Sequence, residues 1–224
     1  MKKFILIVAA IAITILPLTL YGCNNEVLSD IPDNVSYVEA EVYWGQSDSF
    51  FIEVTRGKRE VPLNANGKSQ NVAQFFEVQI TPSKAMDIEL CHIAVSGDKG
   101  QIEGDAEISL TDNEFVFTTQ ENVEIGSAVS IIVTFGDKQE TAELVDMLLG
   151  NLDWKAVLEI AKTEFNERLE ADTTNSSREI FVKLARDRRA LGGDCFWYVC
   201  YIGEKSDFWS LLIDVKDGTI IARK

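Results

Sequence analysis

The sequence predicts a mainly β protein with an α+β end: a two-sheet β-sandwich over residues 35–148, then a small domain over 153–224 in which a helix lies on an antiparallel sheet. Three observations predict it. From Tyr37 to Asp146 short β-type runs alternate with turn signals, and no helical period occurs. After Gly150 and Asn151 the apolar residues switch to helical spacing, and three further β-type runs then carry the chain to its end.

The runs of the first part are SYVEAEVYW, SFFIEVTRG, AQFFEVQITP, DIELCHIAVSG, DAEISLTD, EFVFTT and AVSIIVTFGDKQETAELV. Val38, Ala40, Val42 and Trp44 alternate with polar residues, as do Phe76, Val78 and Ile80, so each run offers one apolar face. Gly136 to Lys138 reads as a tight hairpin turn. Short runs with frequent turns are the pattern of a two-sheet sandwich. In that pattern, over roughly half the chain, this part resembles the immunoglobulin-like or fibronectin-like modules of bacterial surface proteins, without a paired-cysteine frame. Such folds host many functions, so the resemblance implies a scaffold.

In the second part Trp154, Val157, Leu158, Ala161, Phe165 and Leu169 recur on one face of a helix of about five turns, with Asp153 placed to cap it. ADTTNSS, residues 171–177, breaks that pattern. REIFVKLARDRRAL, DCFWYVCYIG and DFWSLLIDV follow as strands, with turns at Gly192-Gly193 and from Gly203 to Asp207, and KDGTIIAR adds a short extension after Asp217-Gly218. A helix followed by these strands makes one layer on another, with Trp154 and Phe165 facing the sheet. The order AVLEIAKTEF, FWYVCYIG and LLIDVKDGTII, over Asp153 to Lys224, resembles the PepSY domain of secreted peptidase propeptides and envelope proteins. A cystatin-like or other helix-on-sheet fold gives the same order. The resemblance implies binding, as inhibition or chaperoning of a peptidase or contact at the cell surface, and brings no catalytic residues. Asp214 reads as a turn residue whose carboxylate accepts backbone N–H groups.

The chain opens with Lys2 and Lys3 and then runs from Phe4 to Gly22 without a charge, which is an export signal. Leu20, Tyr21, Gly22 and Cys23 resemble the lipobox of bacterial lipoproteins, from which Tyr21 departs. That resemblance implies removal of residues 1–22, a diacylglycerol on the Cys23 thiol, a tether over 23–34, and attachment to the cell membrane or outer membrane, facing outside the cytoplasm. An uncleaved signal anchor, with Cys23 a bystander, is the other reading, and it too places the chain outside. More than one acyl chain is needed for stable anchoring, since each buried CH₂ contributes about 0.8 kcal/mol.

Without residues 1–22 the chain keeps 19 Lys and Arg against 36 Asp and Glu, a formal charge of −17, which excludes nucleic acid as a partner. From Asp33 to Thr141 there are 19 acidic and 7 basic residues; from Ala142 to Lys224, 15 and 12. The basic stretch of Lys183, Arg186, Arg188 and Arg189, with Arg178 nearby, reads first as a solvated strand face; it is also a candidate partner-binding patch for carboxylates or phosphates, and it can equally contact the acidic first part of the same molecule. Cys91, Cys195 and Cys200 read as buried free thiols, with a Cys91 bridge to Cys195 or Cys200 as the alternative. Asp98, Glu103, Asp105, Asp112 and Glu114 either offer oxygens to calcium or form a solvated acidic loop; they match no EF-hand spacing. His92, the lone histidine, reads as a strand residue.

No nucleophile and base pair, zinc-ligand spacing or phosphate-binding loop occurs, so no catalytic residue and no cofactor is assigned. The expectation is a lipid-anchored cell-envelope protein that binds a protein partner, a secreted peptidase in its sharpest form. The alternative is an adhesion or carbohydrate- and polymer-binding lipoprotein in which the sandwich binds through aromatics such as Tyr43, Trp44, Phe50 and Phe51.

Overall fold

The computed structural model describes residues 32–109, 113–171, 178–187, 194–203 and 207–224. Cys23, Asp112, Arg188 and Arg189 lie outside them. Pro32–Lys224 is one compact unit.

The first eight strands are β1 (Val35–Gln46), β2 (Phe50–Glu60), β3 (Val72–Pro82), β4 (Leu90–Ser96), β5 (Gln101–Ile108), β6 (Phe115–Thr119), β7 (Val129–Phe135) and β8 (Lys138–Asp146). They pair in the order β1-β2-β3-β6-β5-β4-β7-β8, and β8 returns to β1 where Tyr43 faces Asp146 and Trp44 faces Val145. That seam closes an eight-stranded barrel and overturns the expected sandwich. Alternation gives every strand one apolar face, and a sheet curled on itself buries those faces as well as two stacked sheets do. Only the pairing of β1 with β8 separates the two, and no local pattern encodes it. Eight strands enclose a space that side chains can fill. Phe50, Ile52, Phe76, Ile80, Ile93, Val95, Ile131 and Val133 fill it here, with Phe50 edge-on to Phe135 at 4.9 Å.

One local expectation fails instructively. β1 carries a bulge at Ala40, since Glu39 faces Gly57 and Glu41 already faces Arg56. The extra residue reverses the alternation, so that Tyr43 joins the barrel core while Val42 and Trp44 do not. Trp44 packs instead near Phe51, with ring centroids 6.5 Å apart.

The rest of the chain supplies α1 (Trp154–Glu164), α2 (Asn166–Ala171), β9 (Glu179–Arg186), β10 (Cys195–Ile202), β11 (Phe208–Asp214) and β12 (Ile220–Arg223). Asp153 caps α1 as read, its carboxylate accepting from the Ala156 N–H at 2.8 Å. The expected five-turn helix is broken at Phe165, which caps α1 and packs edge-on to Tyr201. α1 lies against β10 and β1, and the Trp197 indole N–H donates to the Leu152 carbonyl at 2.8 Å. The turn after β11 also behaves as read, with Asp214 accepting from the Lys216 N–H at 2.8 Å.

These strands do not form a separate domain after a sandwich. β9 pairs in parallel with β1 from Val35 to Val38, so β9 to β12 continue the barrel's own sheet and β1 belongs to both. Periodicity predicts a sheet of only three or four strands here, because the partner of β9 lies far back along the chain.

Candidate functional site

The most unusual chemistry lies where β1 and β9 separate. Their ladder ends at Val38 and Val182, because the bulge at Ala40 turns β1 into the barrel wall. Side chains carry the connection from there. The Leu184 N–H donates to Glu39 Oε2 at 2.7 Å, taking the place of a ladder bond. Arg186 donates through Nε to Glu53 Oε2 at 2.7 Å and through Nη1 to the Leu184 carbonyl at 2.9 Å, while Nη1 lies 3.5 Å from Glu39 and Nη2 pairs with Glu53. The side chains of Arg186, Glu39 and Glu53 are at most 7% exposed.

Two carboxylates thus share one guanidinium away from water. Burial pushes the Glu39 carboxyl above its usual range, and the Arg186 charge and Leu184 N–H only partly oppose it. Burial by itself lowers Arg186, but Glu53 and Glu39 reverse that and hold it above its ordinary value. Tight approach of β1 to β2 is part of the construction: a Cβ on Gly57 would sit 1.9 Å from the Val38 carbonyl oxygen.

Two further buried carboxylates organise the loop between β2 and β3. Glu179, fully buried, accepts from Ser36 Oγ at 2.7 Å and from the Gly67 N–H at 2.9 Å. Glu60 accepts from the Asn64 N–H at 3.1 Å and the Gln70 N–H at 2.8 Å. The loop is pinned at three points while Val61 and Leu63 remain solvent-exposed.

Beside this junction an open groove of about 860 Å³ is lined by Tyr37, Leu63, Phe181, Lys183 and Asp187, with Glu39 and Arg186 at its margin. Phe181, Lys183 and Ala185 point to the sheet face opposite Ile180, Val182 and Leu184. Their cross-strand neighbours are Cys200, Tyr198 and Phe196, and beyond these Ser210, Leu212 and Asp214. α1 packs on the other face, against Trp197, Val199 and Tyr201. Phe181, Phe196 and Tyr198 are left half-exposed. Tyr37 is stacked on Phe75 at 5.7 Å and lies 6.1 Å from Phe181, and the Lys183 ammonium is 5.7 Å from the Tyr198 ring. The result is an aromatic platform with a cation on it.

No protein-family model, curated protein or solved structure matches the chain.

Of the four residues in the sequence-read basic patch, Lys183 is exposed on the groove, Arg186 is turned inward onto Glu39 and Glu53, and Arg188 and Arg189 lie outside the described residues. Arg186 therefore realises the intramolecular option, contact with acidic residues of the first part. Arg178 is likewise engaged, 3.0 Å from Asp207 and 3.6 Å over the Trp209 ring. His92 is exposed on β4, its Nδ1 2.8 Å from Asp105. Asp98 accepts from the Ser127 N–H at 2.7 Å, a bond that holds its carboxyl below its usual range, and Glu114 accepts from Thr81 Oγ1 at 2.8 Å. These acids serve separate local contacts. Among the described residues no group of three or more His, Cys, Asp or Glu side chains is placed to hold a metal ion.

Cys91, Cys195 and Cys200 are free thiols, so the Cys91 bridge does not form. Burial in the barrel core pushes Cys91 up to about 11. Tyr43, Trp44 and Phe50 are buried and offer no stacking surface. Sequence reasoning missed Tyr37, Glu39 and Phe181. No local signal marks them, because Glu39 stands in a polar position of the alternating strand, as Glu41 does.

Proposed function

We propose that this chain is a lipid-anchored cell-envelope protein, held through Cys23, that acts by binding a protein partner on the open face of β9, β10 and β11. A secreted peptidase is the sharpest form of that partner. The observation that carries the reading is the open sheet face beside the groove: half-exposed Phe181, Phe196 and Tyr198 on a sheet backed by α1, with Lys183 among them. Aromatic anchors on a rigid support lose little conformational entropy on binding, and a flanking cation selects acidic partners. The barrel acts as the scaffold, since its interior is filled by its own side chains.

The test uses the full chain and its Tyr198→Ala and Lys183→Glu variants, with secreted peptidases assayed for capture and for slowed turnover. Wild type captures or slows a peptidase and the variants do not; a wild type that captures none and slows none removes the peptidase reading. The aromatic platform itself favours a second reading, stacking on a sugar polymer. Retention by insoluble cell-wall polymer that is lost in Tyr198→Ala supports it, and protein capture without such retention excludes it. Anchoring is tested separately by Cys23→Ser, which releases the chain from membranes or leaves an unprocessed precursor. A Cys23→Ser chain that fractionates unchanged and is still cleaved and lipid-labelled overturns the assignment.

A further inference from the structure

We infer that the loop from Val61 to Asn71 is a second membrane contact, which lays its exposed apolar side chains into the bilayer interface and fixes how the groove is presented. The inference rests on the anchoring of Cys23. Eight residues lie between Cys23 and Pro32, so the chain can stand off the acyl anchor by no more than about 30 Å at full extension. The part of the fold first reached along the chain from Cys23 is the start of β1, where the Val35 N–H donates to the Pro32 carbonyl at 2.9 Å. The loop sits at that same end, because the one Glu179 carboxylate accepts from both Ser36 of β1 and Gly67 of the loop.

Its composition suits a lipid surface. VPLNANGKSQN, residues 61–71, contains no acidic residue in a chain of formal charge −15, and four of the seven basic residues between Asp33 and Thr141 fall between Arg56 and Lys68. Lys68 is exposed on the loop and Lys58 half-exposed at its base. Val61 is 38% and Leu63 52% exposed, on a backbone that Glu60 and Glu179 hold in place. Exposed apolar groups flanked by lysine bind an interface through buried area plus attraction to anionic headgroups. Elsewhere the acidic surface is repelled by such lipids, so the contact also orients the molecule.

The experiment places the full mature chain in vesicles of phosphatidylglycerol and phosphatidylcholine with brominated acyl chains, and compares Leu63→Trp with Leu90→Trp. Leu90 is 48% exposed and lies in the register row that leads through Glu107, Val116, Gln79 and Glu53 to Trp44, towards the far end of β1. Bromine quenches the added fluorescence of Leu63→Trp at least about twofold more than that of Leu90→Trp if the loop is in the interface. Equal quenching at the two positions, or more at Leu90→Trp, overturns the proposal. The mass of the chain at Cys23 reports the anchor independently: a lipidated chain with equal quenching refutes the loop alone, and an unlipidated chain with excess quenching at Leu63→Trp refutes the anchor alone.

Discussion

The barrel and the β9–β12 extension share β1 but are held by different physics. Inside the barrel, strands present aliphatic and aromatic side chains to a common interior, and burial supplies the stability. At the junction with β9, carboxylates do the joining: Glu39 and Glu53 on Arg186, and Glu179 on Ser36 and Gly67. An apolar core tolerates imperfect partners because its attraction has no direction. A buried charged junction does not, since each group left alone keeps its desolvation cost. The extension is therefore attached in one fixed geometry.

Arg186→Ala leaves the buried Glu39 and Glu53 carboxylates without their guanidinium and costs about 3–5 kcal/mol in urea denaturation. Replacing Arg186, Glu39 and Glu53 together by Met and Leu side chains costs less than the single substitution, because no charge is left unpaired. A triple variant weaker than Arg186→Ala would mean that the pairing itself is the source of stability. In the barrel, Phe50→Ala costs about 3–5 kcal/mol by the same measurement, and no second substitution of a charged group rescues it.

The two regions also respond to pH with opposite sign. The folded pKa of Glu39 is raised by burial, so its contribution is fully present below the ordinary carboxylate range and is lost as pH rises through the folded value. At Glu140, on β8, burial also raises the pKa, but bonds from the Ser47 and Ser49 hydroxyls and the Ser49 N–H outweigh it and the net shift is downward. Its contribution is present above the ordinary range and is lost as pH falls through the folded value. On acidification, wild type gains melting temperature relative to Glu39→Gln and loses it relative to Glu140→Gln. Parallel trends in the two pairs would contradict the assignment. Smaller still is Asp153→Ala, which removes the α1 cap and costs about 1 kcal/mol in thermal melts.

How much of this was legible in the sequence depends on the range of the interaction concerned. The strands of the first part, the α1 cap at Asp153 and the turn role of Asp214 are set by neighbours within a few residues, and the structure has them. Closure of the barrel rests on Tyr43 meeting Asp146, and the extension on Val35 meeting Ile180. Both are pairings across a hundred residues or more, so a pattern that fits two stacked sheets could not reveal them. The bulge at Ala40 is hidden for another reason: alternation continues in the letters while the backbone shifts phase. Of the site, Lys183 was visible as a basic residue on a strand. Arg186 was visible too, but its burial depends on Glu39 and Glu53, which only the fold brings to it.

In the proposed function the extension binds and the barrel supports it. The measurement is binding of an identified envelope partner to the full chain by calorimetry, comparing Tyr198→Ala on the open face with Leu90→Ala on the barrel surface, both checked for unchanged melting. Loss of affinity of about tenfold or more in Tyr198→Ala with none in Leu90→Ala is the predicted result. Affinity untouched by Tyr198→Ala and lost in Leu90→Ala would contradict it.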